Sequence, residues 1–189
     1  MASLVRPSAR YKDSYLAALR EFHKEGRYTY HDVDRLRLDF DSLLADESAR
    51  IHDENIVAYQ VPETIYWLVD DGEFIGRLEL RHELNDHLLE IGGHIGYSIR
   101  PGRRGEGYGN EILELGLEKA CELGMQRVLL TCDPDNTPSK KIIEKNGGEY
   151  ENRVDVERGG IEYHKLRYWI DVPQQIGADS GQCSPRSRP

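Results

Sequence analysis

The stretch from Ile91 to Gly109, IGGHIGYSIRPGRRGEGYG, constrains this chain more than any other. Isoleucine and tyrosine dominate its first half, which reads as a strand, and Pro101 removes an amide donor that a continuing ladder would need. A turn therefore begins there. Arg103, Arg104, Gly105, Gly107 and Gly109 follow, and from Ile112 the residues Leu113, Gly116, Leu117, Ala120 and Cys121 recur at helical spacing. The predicted order is strand, glycine-rich loop, helix N-terminus.

Such an order suits an anion. The first amides of a helix have no intrahelical acceptor, and the aligned peptide dipoles put partial positive charge at that end. Glycine lets the backbone approach a phosphate closely, and Arg104 adds a planar, fully charged fork. The same residues also serve an ordinary tight turn with solvated arginines, so the loop alone does not decide. A P-loop is excluded because no Gly-Lys-Ser/Thr closes the motif. The dinucleotide fingerprint is excluded because, counting from Gly105, the sixth position is Asn110.

Elsewhere the pattern alternates between strand and helix. Leu4 to Pro7 reads as a short strand with Ser8 as a helix cap, and Tyr11 to His23 as an amphipathic helix ended by Gly26. Val33 to Ala49 reads as one further helix. Arg50 to Pro62 reads as a loop that shapes a substrate entrance. Thr64 to Val69 and Glu73 to Leu84 are strands joined by the Asp-Gly hairpin signal at Asp71 and Gly72, and a turn around Asn85 to His87 leads into the stretch described first. Val128 to Leu130 reads as a buried central strand, Thr137 to Lys145 as a short helix, and Glu149 to Val172 as a closing hairpin. The expected class is α+β with no internal repeat: one domain over residues 1–172, then a disordered tail over 173–189.

The chain has 189 residues, enough for one domain with a proper core. A net charge of -9 argues against nucleic acid, whose phosphates demand a basic surface, and is easier to reconcile with a cationic small substrate. No apolar run is long enough to span a membrane, and Met1 to Arg10 lacks the apolar core of a secretory signal, so a cytoplasmic protein is expected. Cys121, Cys132 and Cys183 are an odd number without paired spacing, which suits a reducing compartment and offers no metal site.

Arg104, Gly107 and Gly109 match the Arg/Gln-x-x-Gly-x-Gly/Ala motif of the GNAT superfamily of acetyltransferases, and HIGYSIRP resembles that family's central strand. The segment DPDNTPSKKIIEKNGG resembles its Asn-x-x-Ser/Ala segment through Asn136 and Ser139, and the order of elements agrees from Leu4 to Val172. Within the family the chain resembles the branch of uncharacterised predicted acetyltransferases. The resemblance implies a mixed central sheet of about six to seven strands with flanking helices, and acetyl-CoA as co-substrate without a metal. It implies cofactor contacts at Ile99, Arg104, Gly105, Glu106, Gly107, Tyr108, Gly109, Asn110, Asn136 and Ser139.

The implied reaction moves an acetyl group from acetyl-CoA to a primary amine of a small molecule or peptide. It needs a neutral amine, something to take its proton, and donors aimed at the developing oxyanion. In relatives with a Glu-Ile-Gly-Tyr run the base is the glutamate, where this chain has His94. An imidazole with a pKa of about 6.5 is chemically able to fill that role. Glu79 is the other leading candidate, with His82 and Glu83 as rivals acting through water. The tyrosine that many relatives use as general acid is here Ile143, with Tyr108, Tyr150 and Tyr163 as substitutes. Two alternatives remain: a catalytically silent acyl-CoA binding or sensing module, and an interaction protein without a cofactor. Neither a membrane nor a nucleic acid partner is expected, and a homodimer is left open.

Overall fold

Asp71 and Gly72 take φ angles of 47° and 78°, both left-handed, which is what a two-residue hairpin loop demands of its central pair. They join strand β2 (Glu63–Asp70) to β3 (Glu73–Arg81), as the Asp-Gly signal predicts. The computed structural model describes residues 1–52 and 61–173. Strand β1 (Ser3–Val5) pairs with β2, and β4 (Ile95–Ile99) with β3, giving a four-stranded sheet in the order β1-β2-β3-β4. Strands β5 (Arg127–Cys132), β6 (Glu149–Arg158) and β7 (Ile161–Asp171) form a second sheet in the order β5-β7-β6. All the ladders are antiparallel. The two sheets meet at an isolated bridge between Gly93 and Leu130, beside which β4 and β5 part.

Helices cover both faces of the first sheet. One side is closed by α1 (Lys12–Lys24), α2 (Val33–Leu38) and α3 (Phe40–Ala49). Their core is aromatic: Tyr15 stacks on Trp67 with centroids 4.6 Å apart, and Phe74 meets both rings edge-on. After α4 (Asp86–Ile91), the other side is closed by α5 (Tyr108–Glu122) and α6 (Thr137–Lys145). Leu78, Leu80, Ile112, Leu113, Val128 and Tyr168 are buried together there. The run Val128 to Leu130 is buried on both faces, which explains why it carries no polar alternation. Among the described residues no helix is long and apolar enough to cross a membrane.

Four expectations need correction. The helix expected from Val33 to Ala49 is two helices, broken at Asp39, whose φ of -132° and ψ of 74° are not helical. The Asp39 carboxylate instead accepts the Ser42 amide at 3.2 Å, restarting the helix so that Phe40 and Leu43 are buried. The turn expected at Asn85 to His87 is the start of α4, capped by the Asn85 side chain, which accepts from the Leu88 amide. The strand expected from Ile91 therefore begins only at Ile95, after Gly93 turns the chain with a φ of 74°. Similarly, β3 stops at Arg81 and leaves Glu83 outside it. Residues 53–60 of the expected entrance loop, and the expected tail beyond Pro173, lie outside the described residues.

Candidate active site

Four helices begin with their first amides taken by a side chain: Asp32, Asp39, Asn85 and Asn136 cap α2, α3, α4 and α6. Helix α5 differs. Its cap is Gly107, in the left-handed region at a φ of 95°, and no side chain fills the position. Its N-terminus opens onto a groove of about 620 Å³. Ile99 of β4, then Arg104, Gly105, Gly107, Gly109 and Asn110 of the loop and helix, and Asn136 and Ser139 at the start of α6 all line it. Eight of the ten predicted cofactor residues thus converge on one surface. Helices α5 and α6 approach each other closely beside it: a Cβ on Gly109 would come within 2.5 Å of Ile142 Cδ1.

The other two project elsewhere. Glu106 accepts from Arg103 Nε at 3.0 Å, and the Tyr108 hydroxyl donates to Asp70 at 2.9 Å while accepting from Arg103. Neither residue lines the groove. The arginines divide in the same way. Arg100 is held by Glu21 and Glu73, and Arg103 by Glu73 and Glu106. Arg104 alone of the three lines the groove, with Nε donating to the Ile99 carbonyl and both terminal nitrogens donating to Glu25 at 2.8 Å. That contact holds the Glu25 carboxyl below the ordinary carboxylate range.

The predicted bases are both engaged. His94 sits just before β4, and its Nδ1 accepts the Leu129 amide at 2.9 Å, so the neutral ring carries its proton on Nε2. Burial, reinforced by Arg81, pushes its pKa down to about 4. Glu79 lies between Arg77 and Arg81, accepting from Arg77 Nε at 3.1 Å and from Arg81 at 3.0 Å. Burial raises its pKa, but the two guanidinium groups outweigh it and hold the carboxyl below its ordinary range. Next to it, Arg77 and Glu47 form a buried ion pair. His82 bonds to Thr64 at 2.9 Å.

A family model described as "Acetyltransferase (GNAT) domain" matches residues 13–149 of the chain. The chain belongs to the GNAT acetyltransferase family. An uncharacterised N-acetyltransferase, YnaD of Bacillus subtilis (strain 168), is 31% identical over 84 residues, covering 42% of this chain and 45% of YnaD. The match thus spans somewhat less than half of that curated relative. Among solved structures, Mycobacterium smegmatis RimJ with a CoA disulfide superposes with a TM-score of 0.64 at 20% identity, covering 90% of this chain and 81% of RimJ. RimL, a ribosomal L7/L12 alpha-N-protein acetyltransferase solved with coenzyme A, gives 0.66 at 14%, with 90% and 94% covered. The microcin self-immunity acetyltransferase MccE, solved with acetyl-CoA and AMP, gives 0.65 at 13%, with 90% and 92% covered. These likenesses establish the GNAT fold, α+β as expected.

The groove fits the family's coenzyme. Added Cβ atoms on Gly105 and Gly107 would meet nothing within 4 Å, so their backbone is open to a ligand. Asn110 Oδ1, in the groove wall, is buried without a hydrogen-bond partner. Among the described residues no cluster of three or more His, Cys, Asp or Glu could hold a metal ion.

Seven groove residues escape the sequence reading: Glu25, Arg27, Tyr97, Ser98, Pro138, Lys141 and Ile142. Arg27 belongs to the loop between α1 and α2, whose return to β4 has no sequence signature. Lys141 follows Ser139 within α6, where a solvated lysine and a ligand-facing one look alike. Tyr97 lies on the predicted strand, and its hydroxyl is 3.2 Å from Ser139 Oγ. Of the predicted acid substitutes, Tyr150 is exposed on β6, Tyr163 is on β7 and Tyr108 bonds Asp70; none lines the groove. Ile143 is fully buried.

Proposed function

We propose that this protein is an acetyl-CoA dependent N-acetyltransferase acting on a primary amine of a small molecule or peptide. The observation that carries it is the uncapped N-terminus of α5, glycine-lined and flanked by Arg104, at the end of a groove that runs past β4 to Ser139. Coenzyme A supplies the chemistry as a thioester, an acyl donor with a thiol leaving group of pKa about 8.5. The amides from Gly105 to Asn110 and the Arg104 fork hold its diphosphate. The backbone of β4, free on the side where β5 diverges, lies alongside its arm. Holding donor and amine together supplies much of the rate.

In this reading His94 and Glu79 position rather than abstract. The one free ring nitrogen of His94 carries a proton, and Glu79 is a weak base with both oxygens bonded to arginines. The acceptor therefore reacts as the fraction of neutral amine that its own pKa allows, and its proton leaves to water. The acceptor is the least constrained element: MccE was solved with AMP and RimL is an acetyltransferase of a ribosomal protein, so the shared fold does not choose between a small molecule and a peptide.

The engagement of both candidate bases also favours a second reading, the silent acyl-CoA binding module. Release of free thiol from acetyl-CoA across a panel of primary amines separates the two. Turnover whose pH profile follows each amine's own pKa supports the enzyme. Binding of acetyl-CoA with no thiol release from any amine supports the module instead.

A further inference from the structure

We propose that Tyr97 is a positioning residue for the leaving thiolate, turning the Ser139 hydroxyl so that its proton points into the groove. This rests on the reading that the thioester lies in that groove. Strand alternation places Tyr97 with Ile95 and Ile99 on the side of β4 that faces α5 and α6, and its hydroxyl reaches Ser139 Oγ at 3.2 Å across the gap where the two sheets part. Both residues line the groove. Ser139 is itself fixed from behind, because its amide donates to Asn136 Oδ1 at 3.1 Å in the cap of α6.

The direction of the Tyr97 to Ser139 bond follows from acidity. A phenol is a better donor than an aliphatic alcohol, and with its pKa pushed up to about 12 by burial Tyr97 stays protonated, so Tyr97 is assigned as donor and Ser139 as acceptor of the 3.2 Å bond. Ser139 then accepts on one lone pair and has its own proton to offer. With Ile143 buried in the core, α6 has no tyrosine at that position; Ser139 and Lys141 are the α6 donors that line the groove, and of the two Ser139 is the one bonded to Tyr97.

The step balances without an added acid. The amine nitrogen lone pair forms the C–N bond, and the C–S electron pair leaves on sulfur as a thiolate that accepts the Ser139 hydrogen bond. The nitrogen loses its extra proton to water, and the thiolate is protonated from solvent according to its own pKa. Tyr97 never becomes a phenolate.

The test uses coenzyme A itself and needs no knowledge of the acceptor. The thiol of CoA bound to the whole protein is titrated by thiolate absorbance in wild type, Tyr97→Phe, Ser139→Ala and the double variant, with the dissociation constant for CoA measured alongside. A hydrogen bond to the charged sulfur lowers the bound thiol pKa by about one unit or more in wild type. Tyr97→Phe and Ser139→Ala should each remove that depression, and the double variant should lower it no further than Ser139→Ala alone, with CoA affinity in Tyr97→Phe changed less than threefold. A purely structural role for Tyr97 would weaken CoA binding and leave the bound thiol pKa at the wild-type value, which overturns the proposal. Full additivity in the double variant also overturns it, because Tyr97 would then not act through Ser139. If CoA does not bind wild type at all, the acetyltransferase reading falls together with this one. Binding with an unperturbed thiol in all four proteins removes only the role of Tyr97.

Discussion

His94 and Leu129 exchange two hydrogen bonds across the seam between the sheets. The His94 amide donates to the Leu129 carbonyl at 2.7 Å, and the Leu129 amide donates to His94 Nδ1 at 2.9 Å. Leu129 is fully buried. His94→Ala leaves the Leu129 amide without an acceptor, at a cost of about 1–3 kcal/mol. Urea unfolding should show that loss, and a variant as stable as wild type would make the ring contact dispensable.

The same contact sets a pH dependence. The folded-state pKa of His94, about 4, lies below the unfolded value of about 6.5, so the unfolded chain binds the proton more readily. Its contribution is complete above the unfolded value and is lost as pH falls toward 4. His31, also driven to about 4 by burial and by Arg77 and Arg50, acts in the same sense. The melting temperature should fall between pH 7 and pH 5, and less steeply in His94→Ala. Equal slopes in calorimetry would contradict this.

Glu25 occupies the Arg104 fork that a diphosphate would use. Because the pair is exposed, its worth is at most about 1 kcal/mol, so Glu25→Gln should tighten acetyl-CoA about two- to fivefold. Arg104→Ala should weaken acetyl-CoA about tenfold or more through loss of a charge-assisted bond, leaving the KM for the amine unchanged. Opposite signs for the two variants in steady-state kinetics are the expected signature.

Arg77 is buried between Glu47 and Glu79, and burial raises the Glu47 pKa although Arg77 opposes it. Arg77→Ala strands the Glu47 carboxylate, leaves Glu79 with Arg81 alone, and should cost about 3–5 kcal/mol in denaturant unfolding. A loss below 1 kcal/mol would mean that water reaches the pair.

Gly107, at a φ of 95°, has space for a methyl group but not the backbone freedom to carry one without strain. Gly107→Ala should cost about 1–2 kcal/mol of stability and weaken acetyl-CoA, whether measured by denaturation or by titration.

What is legible in the sequence is what local chemistry decides. Asp71-Gly72 has few ways to turn, Val128 to Leu130 has no polar residue to expose, and Asn136 caps α6 wherever the helix sits. The break at Asp39 is not of that kind: aspartate is acceptable on a solvated helix face, and it becomes a cap because Phe40 packs against Tyr15 and Trp67. Likewise Leu88 and Ile91 suit a strand as well as the short helix that Asn85 starts. At the site, the spacing to Gly107 and Gly109 singles out Arg104, but nothing in the sequence says what holds adjacent Arg103. Glu73 and Glu25, brought in from β3 and the end of α1, separate their roles. Tyr97 has a legible strand and face, but its partner Ser139 is 42 residues away and meets it only through the docking of α6.

The most direct measurement is a crystal structure of the protein with acetyl-CoA. The expected result is a diphosphate within hydrogen-bonding distance of the amides between Gly105 and Asn110, with the Arg104 fork turned from Glu25 toward it. A nucleotide bound away from the start of α5, with those amides still facing solvent, would contradict the assignment of this groove and the acetyl transfer built on it.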